Sequence, residues 1–204
     1  QMGVVHRDVS PQNLIITYQG GIKVVDFGIA KLGSQATNSG KLKGKIAYMS
    51  PEQARTDPVD ARSDVFALGV VLFEQLTRTR LVGKMGELET LKFMSADTPM
   101  PKVSGRRKDV DPQLDQIVSR ALERDRERRY QSARELQLVL ETWIRSTGLS
   151  ASSSDVADYM QQLFGERIAE RKKMMETALR LEFTPNAARV LQDMVTGIVP
   201  GSGS

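Results

Sequence analysis

Three side chains with oxygen atoms suited to metal binding or proton transfer flank a short predicted hairpin. Asp8 and Asn13 precede residues 14–25, and Asp26 follows them directly. Residues 14–25 consist of two β-branched runs around Gly20-Gly21, a pattern typical of a hairpin. A hairpin brings its two ends together, so we expect the three side chains to share one site. Their oxygens suit Mg²⁺, and a carboxylate beside a hydroxyl group can accept its proton, which together favour phosphoryl transfer.

The elements that follow this hairpin are predicted to be mainly helical. Residues 63–77 are apolar on almost every side, which indicates a buried helix. Further helices are predicted at residues 87–94, 112–122 and 132–146. The last of them begins with Ser132 three residues before Glu135, a capping-box pattern. Residues 28–50 form a polar segment without periodicity, and loops of this length are usually functional or mobile.

The composition is that of an ordinary globular protein with one domain and a short appendage. Of 204 residues, 40% are hydrophobic and 26% charged, and none is cysteine, which fits a reducing compartment. The net charge is +4, but bases alternate with acids, as in residues 123–129, so we expect a solvated surface and no nucleic-acid partner. No apolar run approaches the ~20 residues of a membrane span, and we expect a cytoplasmic location unless the parent protein is anchored elsewhere.

Three motifs in the first third of the chain resemble those of protein kinases. His6-Arg7-Asp8-Val9-Ser10-Pro11-Gln12-Asn13 resembles the catalytic loop, Asp26-Phe27-Gly28 the metal-binding loop, and Ser50-Pro51-Glu52 the end of the activation segment. The likeness is to bacterial serine/threonine kinases of the eukaryotic-like (Hanks) type, especially myxobacterial ones. Three motifs in order are far more specific than one. The resemblance implies the mainly α C-terminal lobe, with one small β-hairpin, of a two-lobed α+β kinase.

The resemblance assigns a role to each residue of the first two motifs. Asp8 would orient the substrate hydroxyl and accept its proton, and Asn13 and Asp26 would hold Mg²⁺ with ATP. His6, the only histidine, would pack beneath the loop and not act as a base. Phe27 and Gly28 would complete the metal-binding loop. A single loop aspartate often only makes a turn or a cap, so the argument depends on the three oxygen-bearing residues together.

Two departures from the family pattern face each other in the predicted active site. Ser10 stands where the family usually has lysine, and Lys45 stands where it usually has threonine. We interpret this as an exchange of a hydroxyl and an ammonium group that keeps both the contact and the positive charge. The alternative is that Lys45 is only a solvated loop residue.

The resemblance also implies structural and regulatory residues. Glu52 and Arg129 would join the activation segment to the helical core as a buried pair, although Arg129 could instead be one surface charge among many. Asp64 would anchor the backbone of the catalytic loop, or serve only as a first-turn acid. Arg7, directly before Asp8, is the family's mark of control by phosphorylation of the activation loop. The candidate acceptors are Ser34, Thr37 and Ser39.

The domain organisation follows from composition and from the extent of the resemblance. Residues 1–146 are predicted to form the kinase C-terminal lobe, and residues 147–154 a serine-rich joint. Residues 155–182 are predicted to be a helical tail, and residues 183–204 its end and a linker. The tail could regulate the lobe, cap it or support self-association. Because Gln1 is not an initiator residue, we expect the natural N-terminus to lie upstream.

The predicted activity is ATP-dependent, Mg²⁺-assisted phosphorylation of serine or threonine in a protein substrate. The phrase from Ala47 to Glu52 favours these acceptors over tyrosine. The Gly-rich turn, strand lysine and helix glutamate of a complete kinase are not in the sequence, so we expect the 204 residues alone to be inactive and the parent protein active. The alternatives are a kinase-like scaffold or pseudokinase and, less consistent with three ordered motifs, a plain helical interaction domain.

Overall fold

A computed structural model describes residues 4–26, 46–148 and 152–181, the last three of them without side chains. Strands β1 (Leu14–Ile16) and β2 (Ile22–Val24) form a two-stranded sheet. The α-helices in these ranges are α1 (Pro51–Ala54), α2 (Ala61–Thr77), α3 (Glu87–Ser95), α4 (Pro112–Ala121), α5 (Ala133–Thr147) and α6 (Ser153–Leu181). Short 3₁₀ turns occur at Pro11–Asn13, Ile46–Tyr48, Val103–Gly105 and Arg126–Arg128. The predicted mainly α fold with one small hairpin is confirmed.

Helix α2 lies at the centre of the described core. It begins two residues before the predicted start because the Asp60 carboxylate accepts the Arg62 N–H and caps the helix. Its apolar residues belong to two hydrophobic clusters. Phe66 and Phe73 lie in the first cluster, and Val65 lies in the second. The prediction that an all-round apolar helix is buried is therefore correct.

Helices α3, α4 and α5 end within one residue of their predicted positions. The capping box predicted for α5 is only half correct. Ser132 Oγ accepts the Glu135 N–H at 3.1 Å, but Glu135 Oε2 accepts the Gln131 N–H at 2.6 Å in place of the Ser132 N–H. Glu135 Oε1 also accepts a hydrogen bond from Arg120 at 3.0 Å, so both carboxylate oxygens have partners other than the Ser132 N–H.

The hairpin has a five-residue connection, longer than the Gly20-Gly21 turn predicted from sequence. Thr17 N–H donates to the Gly21 carbonyl at 2.8 Å, and Gly20 N–H donates to the Thr17 carbonyl at 2.9 Å. Gly20 has φ +78°, a left-handed conformation that glycine adopts without steric cost. The strands are correspondingly short, with three residues each.

The chain divides into two compact units. The first comprises Gln1–Ile15 and Ile22–Ser150, and the second comprises Ile16–Gly21 and Ala151–Ser204. In the second unit, α6 is interrupted at Phe164, whose φ of −132° and ψ of 15° are not helical. Among the described helices, none combines the length and the hydropathy needed to cross a membrane.

Candidate active site

The loop between Asp8 and Asn13 is closed by hydrogen bonds from Asn13. Its N–H donates to the Ser10 carbonyl at 2.9 Å, within a 3₁₀ turn that Pro11 begins. Its buried side-chain Nδ2 donates to the Asp8 carbonyl at 2.6 Å. This second bond fixes the orientation of the amide, so Oδ1 is the atom that remains for a metal ion.

The end of β2 is tied directly to this loop. Val25 N–H donates to the Asn13 carbonyl at 2.9 Å, and Asp26 follows Val25 in the chain. Asp26 has φ +59°, a left-handed conformation that is uncommon outside glycine and that occurs frequently at functional sites. The hydrogen bonds therefore connect Asp8, Asn13 and Val25, the residue before Asp26. The sequence analysis predicted that Asp8, Asn13 and Asp26 share one site.

His6 is buried beneath the loop and contacts both sides of the hairpin. Its Nδ1 accepts the Asp8 N–H at 3.3 Å, and its Nε2 lies 3.1 Å from the Val25 carbonyl oxygen. Since Nδ1 accepts, we assign the ring proton to Nε2, which then donates to Val25. Both ring nitrogens are engaged with backbone groups, an arrangement that positions the loop.

Asp64, in the first turn of α2, holds the start of the loop by its backbone. Its two carboxylate oxygens accept the N–H groups of His6 and Arg7, each at 2.8 Å. Burial raises the pKa of Asp64, although both of these hydrogen bonds lower it. Arg7 has φ +64°, so the chain is held in a left-handed conformation directly before Asp8.

Gln53 is a positioning residue that the sequence interpretation missed. Its Oε1 accepts the Ser50 N–H at 3.0 Å while Ser50 Oγ accepts the Gln53 N–H at 3.3 Å, a complete capping box for α1. Its Nε2 donates to the Arg7 carbonyl at 2.9 Å and so connects α1 to the catalytic loop. The Ser-x-x-Gln spacing could have predicted the cap. The bond to Arg7, 46 residues away in sequence, has no local signal.

Glu52 and Arg129 form a buried, bidentate ion pair. Arg129 NH1 and NH2 donate to the two Glu52 oxygens at 2.7 and 2.8 Å, and the side chains are 0% and 8% exposed, respectively. Ser63 Oγ donates to the same carboxylate at 2.5 Å, and the guanidinium lies 5.0 Å from the ring centre of Phe66. Burial raises the pKa of Glu52, but the bonds from Arg129 and Ser63 outweigh it and lower the pKa to about 2.

Tyr48 fixes the segment that leads into α1 by a second network absent from the sequence interpretation. Its buried hydroxyl donates to Glu74 Oε2 at 2.6 Å and accepts from Arg80 NH1 at 2.6 Å. Burial, followed by the bond to Glu74, raises the pKa of Tyr48. The residue is therefore a neutral donor that connects this segment to α2.

Ser10 lies in the catalytic loop with its side chain 1% exposed. Its Oγ has no hydrogen-bond partner among the described residues, an uncommon state for a buried hydroxyl group. The other sequence-predicted residues of the loop segment lie outside the described residues: Phe27, Gly28, Ser34, Thr37, Ser39 and Lys45.

The donor set around the hairpin fits Mg²⁺. Magnesium is usually bound by one or two protein oxygen ligands together with water and substrate phosphates. Asn13 Oδ1 and the exposed Asp26 carboxylate supply that number, and neither accepts a hydrogen bond from another described residue. The described residues contain no group of three or more histidine, cysteine, aspartate or glutamate side chains placed to hold a metal ion, so the site depends on Asn13 and Asp26 with ligands from water and substrate.

Comparison with known proteins identifies the class to which this fold and site belong. The family model for the protein kinase domain matches residues 1–144, so the chain belongs to the protein kinase family. It is 37% identical over 203 residues to the tyrosine-protein kinase MasK of Myxococcus xanthus, covering 98% of this chain and 31% of MasK. It is 42% identical over 145 residues to the serine/threonine-protein kinase PknB of Mycolicibacterium smegmatis, covering 69% of this chain and 23% of PknB.

A probable serine/threonine-protein kinase of Streptomyces coelicolor is 36% identical over 157 residues, covering 74% of this chain and 23% of that protein. These findings confirm the resemblance to bacterial, including myxobacterial, kinases. The chain spans less than a third of the length of each of these relatives.

Proposed function

We propose that the protein containing this chain transfers the γ-phosphoryl group of ATP to a hydroxyl side chain of a protein substrate. The observation that supports this function best is the set of hydrogen bonds that unites Asp8, Asn13 and Val25 beside Asp26. These bonds join the residues needed for proton transfer and metal binding through their backbones. A scaffold would not require that arrangement.

Asp8 acts as the catalytic base in this proposal. Its carboxylate orients the substrate hydroxyl group and takes its proton as the oxygen bonds to the γ-phosphorus. The bond between that phosphorus and the β,γ-bridging oxygen breaks, and ADP leaves with the bonding electrons. His6, Asp64 and Asn13 position the Asp8 backbone through the contacts described above.

Asn13 Oδ1 and the Asp26 carboxylate would hold Mg²⁺. When bound, the ion neutralises charge on the phosphates and orients them for transfer. The amide of Asn13 is oriented for this role in advance by its bond to the Asp8 carbonyl. Arg7 would bind a phosphate group on the activation loop, with Ser34, Thr37 and Ser39 as the candidate phosphorylated residues.

Lys45 and Ser10 act together in this proposal as a donor pair near the transferred group. The buried Ser10 Oγ lacks a partner among the described residues, so it can accept a hydrogen bond from an ammonium group. Lys45 supplies that ammonium group and the positive charge that the family usually places at position 10. Charge that develops in the transition state is stabilised by such a preorganised donor.

We expect Lys45→Ala to lower kcat by about 10²–10³-fold with a much smaller effect on the KM for ATP, because the donor acts on the transition state. Single-turnover phosphorylation by the full-length protein measures this. The exchange variant Ser10→Lys with Lys45→Thr should recover activity beyond the sum of the two single variants. Lys84→Ala is the control for loss of a lysine. A wild-type rate for Lys45→Ala would refute the donor role.

The acceptor amino acid is proposed to be serine or threonine. The names of PknB and the Streptomyces coelicolor relative support this acceptor, whereas MasK, which aligns along nearly the whole chain, is named a tyrosine kinase. Tyrosine is therefore the second candidate acceptor.

The test is to incubate the full-length protein with Mg²⁺ and labelled ATP and to separate the phosphoamino acids after hydrolysis. We expect phosphoserine or phosphothreonine. Phosphotyrosine alone would reverse the assignment of the acceptor. No incorporation with any protein substrate or with the protein itself, while ATP is bound, would favour the scaffold alternative.

A further inference from the structure

The tip of the hairpin and the tail helix belong to one compact unit. That unit comprises Ile16–Gly21 and Ala151–Ser204, segments more than a hundred residues apart in sequence. The tail lies beyond residues 1–144, which match the kinase family, but within the alignment with MasK, which covers 98% of the chain. The tail therefore lies outside the part of the chain that the kinase family model matches.

The first contact is a close backbone approach at Gly20. Gly20 is buried and adopts φ +78°. A Cβ atom added there would overlap the Ser153 carbonyl oxygen and lie 3.0 Å from the Ala157 backbone nitrogen. Both atoms belong to the first turns of α6, so the helix begins directly against the Cα atom of Gly20. Only glycine permits this approach, because any side chain would occupy the position of the helix backbone.

The second contact joins two aromatic rings three turns further along the helix. The ring centres of Tyr18 and Phe164 lie 6.5 Å apart with a tilt of 53°, a favourable geometry for an aromatic pair. Phe164 is also the residue at which α6 departs from helical geometry. The kink therefore coincides with the residue that contacts the hairpin tip.

The exposure pattern of α6 agrees with these two contacts. Val156, Met160 and Phe164 repeat every four residues on one helix face and are partly buried. Tyr159 and Leu163, on the neighbouring face, are exposed. The partly buried face is the one that includes Phe164, the partner of Tyr18.

We propose that α6 docks on the hairpin tip and that this docking restrains the hairpin that links Asn13 to Asp26. The contacts at Gly20 and Tyr18 hold the turn, and the two strands lead from the turn to the two metal ligands. The docking of α6 on the hairpin tip does not require that the protein is a kinase. Its effect on Mg²⁺ binding rests on the proposed function, in which Asn13 and Asp26 hold the ion. Release of the tail would loosen the hairpin and weaken Mg²⁺ binding, which makes the tail a regulatory element.

Gly20→Ala tests the docking, with Gly83→Ala as the matched control. Gly83 also has a positive φ, +64°, but no atom lies within 4 Å of its added Cβ, so it reproduces the backbone strain without the collision. Hydrogen exchange of the complete chain is measured by mass spectrometry. We expect the amides of residues 153–168 to exchange at least about tenfold faster in Gly20→Ala and at the wild-type rate in Gly83→Ala. Unchanged exchange in Gly20→Ala would overturn the docking.

The ring pair provides an independent second measurement. Tyr18→Ala and Phe164→Ala should each accelerate exchange in residues 153–168, and the double variant should add little to either, because both remove one contact. Fully additive effects would show that the two rings do not act as a pair and would contradict docking through them.

The consequence for the catalytic site is tested by titrating Mg²⁺ in the phosphorylation assay of the full-length protein. We expect Gly20→Ala to require a severalfold higher Mg²⁺ concentration for half-maximal rate than Gly83→Ala. Faster tail exchange with an unchanged Mg²⁺ requirement would overturn the restraint of the hairpin. If the wild-type protein had no kinase activity, the proposed function would be contradicted. The docking would still be tested, because hydrogen exchange in the tail does not require kinase activity.

Discussion

Asp8→Asn is expected to lower the rate of phosphate transfer by about 10²–10⁴-fold, because an amide cannot accept the proton of the attacking hydroxyl group. The substitution preserves size, and the backbone contacts of Asp8 with His6 and Asn13 do not involve the carboxylate. Thermal unfolding of the variant is measured beside the wild type, so that a loss of rate is not confused with a loss of folding. The measurement is the single-turnover rate with Mg²⁺ and ATP in the full-length protein.

The control for Asp8→Asn is Asp97→Asn, which makes the same chemical change at a side chain that is 95% exposed. Its rate should equal that of the wild type. Asp26→Ala provides a second arm and should raise the Mg²⁺ requirement as well as lower the rate, because it removes a proposed metal ligand. Equal phosphate incorporation by the wild type and Asp8→Asn would refute the role of Asp8 and leave the scaffold alternative ahead.

Arg129→Met is expected to lower the free energy of unfolding by about 3–5 kcal/mol, because it leaves the buried Glu52 carboxylate without its positively charged partner. The pair joins α1, directly after the activation segment, to the chain between α4 and α5, so its loss separates elements that the fold holds together. Urea denaturation of wild type and variant at pH 7 measures the difference. Arg128→Met, at a neighbouring arginine that is 69% exposed, should change the value by less than about 0.5 kcal/mol.

The pH dependence of the same experiment follows from the pKa of Glu52. Folding lowers that pKa from 4.5 to about 2, so the ionised pair stabilises the wild type fully above pH 4.5 and loses its effect as the pH falls toward 2. In Arg129→Met, burial without the arginine raises the pKa of Glu52, and acid then favours the folded variant. The difference in free energy of unfolding between wild type and variant should therefore become smaller as the pH falls from about 6 to about 3. If this difference were constant across the range, the Glu52 carboxylate would not be its source.

The double variant Glu52→Leu with Arg129→Met separates the strength of the pair from the cost of an unpaired charge. We expect it to be less destabilised than the sum of the single variants, since no charge is left buried alone. Such a result would show that the two residues act as a coupled pair, and a double variant as stable as the wild type would show that the pair adds little to net stability.

Helices and hairpin were predictable from sequence because their signals are local. The apolar pattern of α2 and the Ser132 cap of α5 involve residues within a few positions of one another. The order of three short motifs was enough to recognise the family, because each motif retains its chemical residues. The relatives include proteins named as serine/threonine kinases and one named as a tyrosine kinase, so the acceptor is decided by the phosphoamino acid measurement.

The sequence by itself thus determined the main elements and the family, and it predicted Asp8, Asn13 and Asp26 as the chemically important residues. Only the tertiary structure decided how the site is held together. Gln53 reaches the Arg7 carbonyl, and Glu135 bonds to Gln131 in place of the expected Ser132. The physical reason is that a hydrogen bond between distant residues depends on how two elements pack, whereas a cap or a helical face depends on the spacing along one segment. The contact of the tail helix with the hairpin tip also depends on how two distant segments pack, so the sequence around Gly20 carries no signal for it.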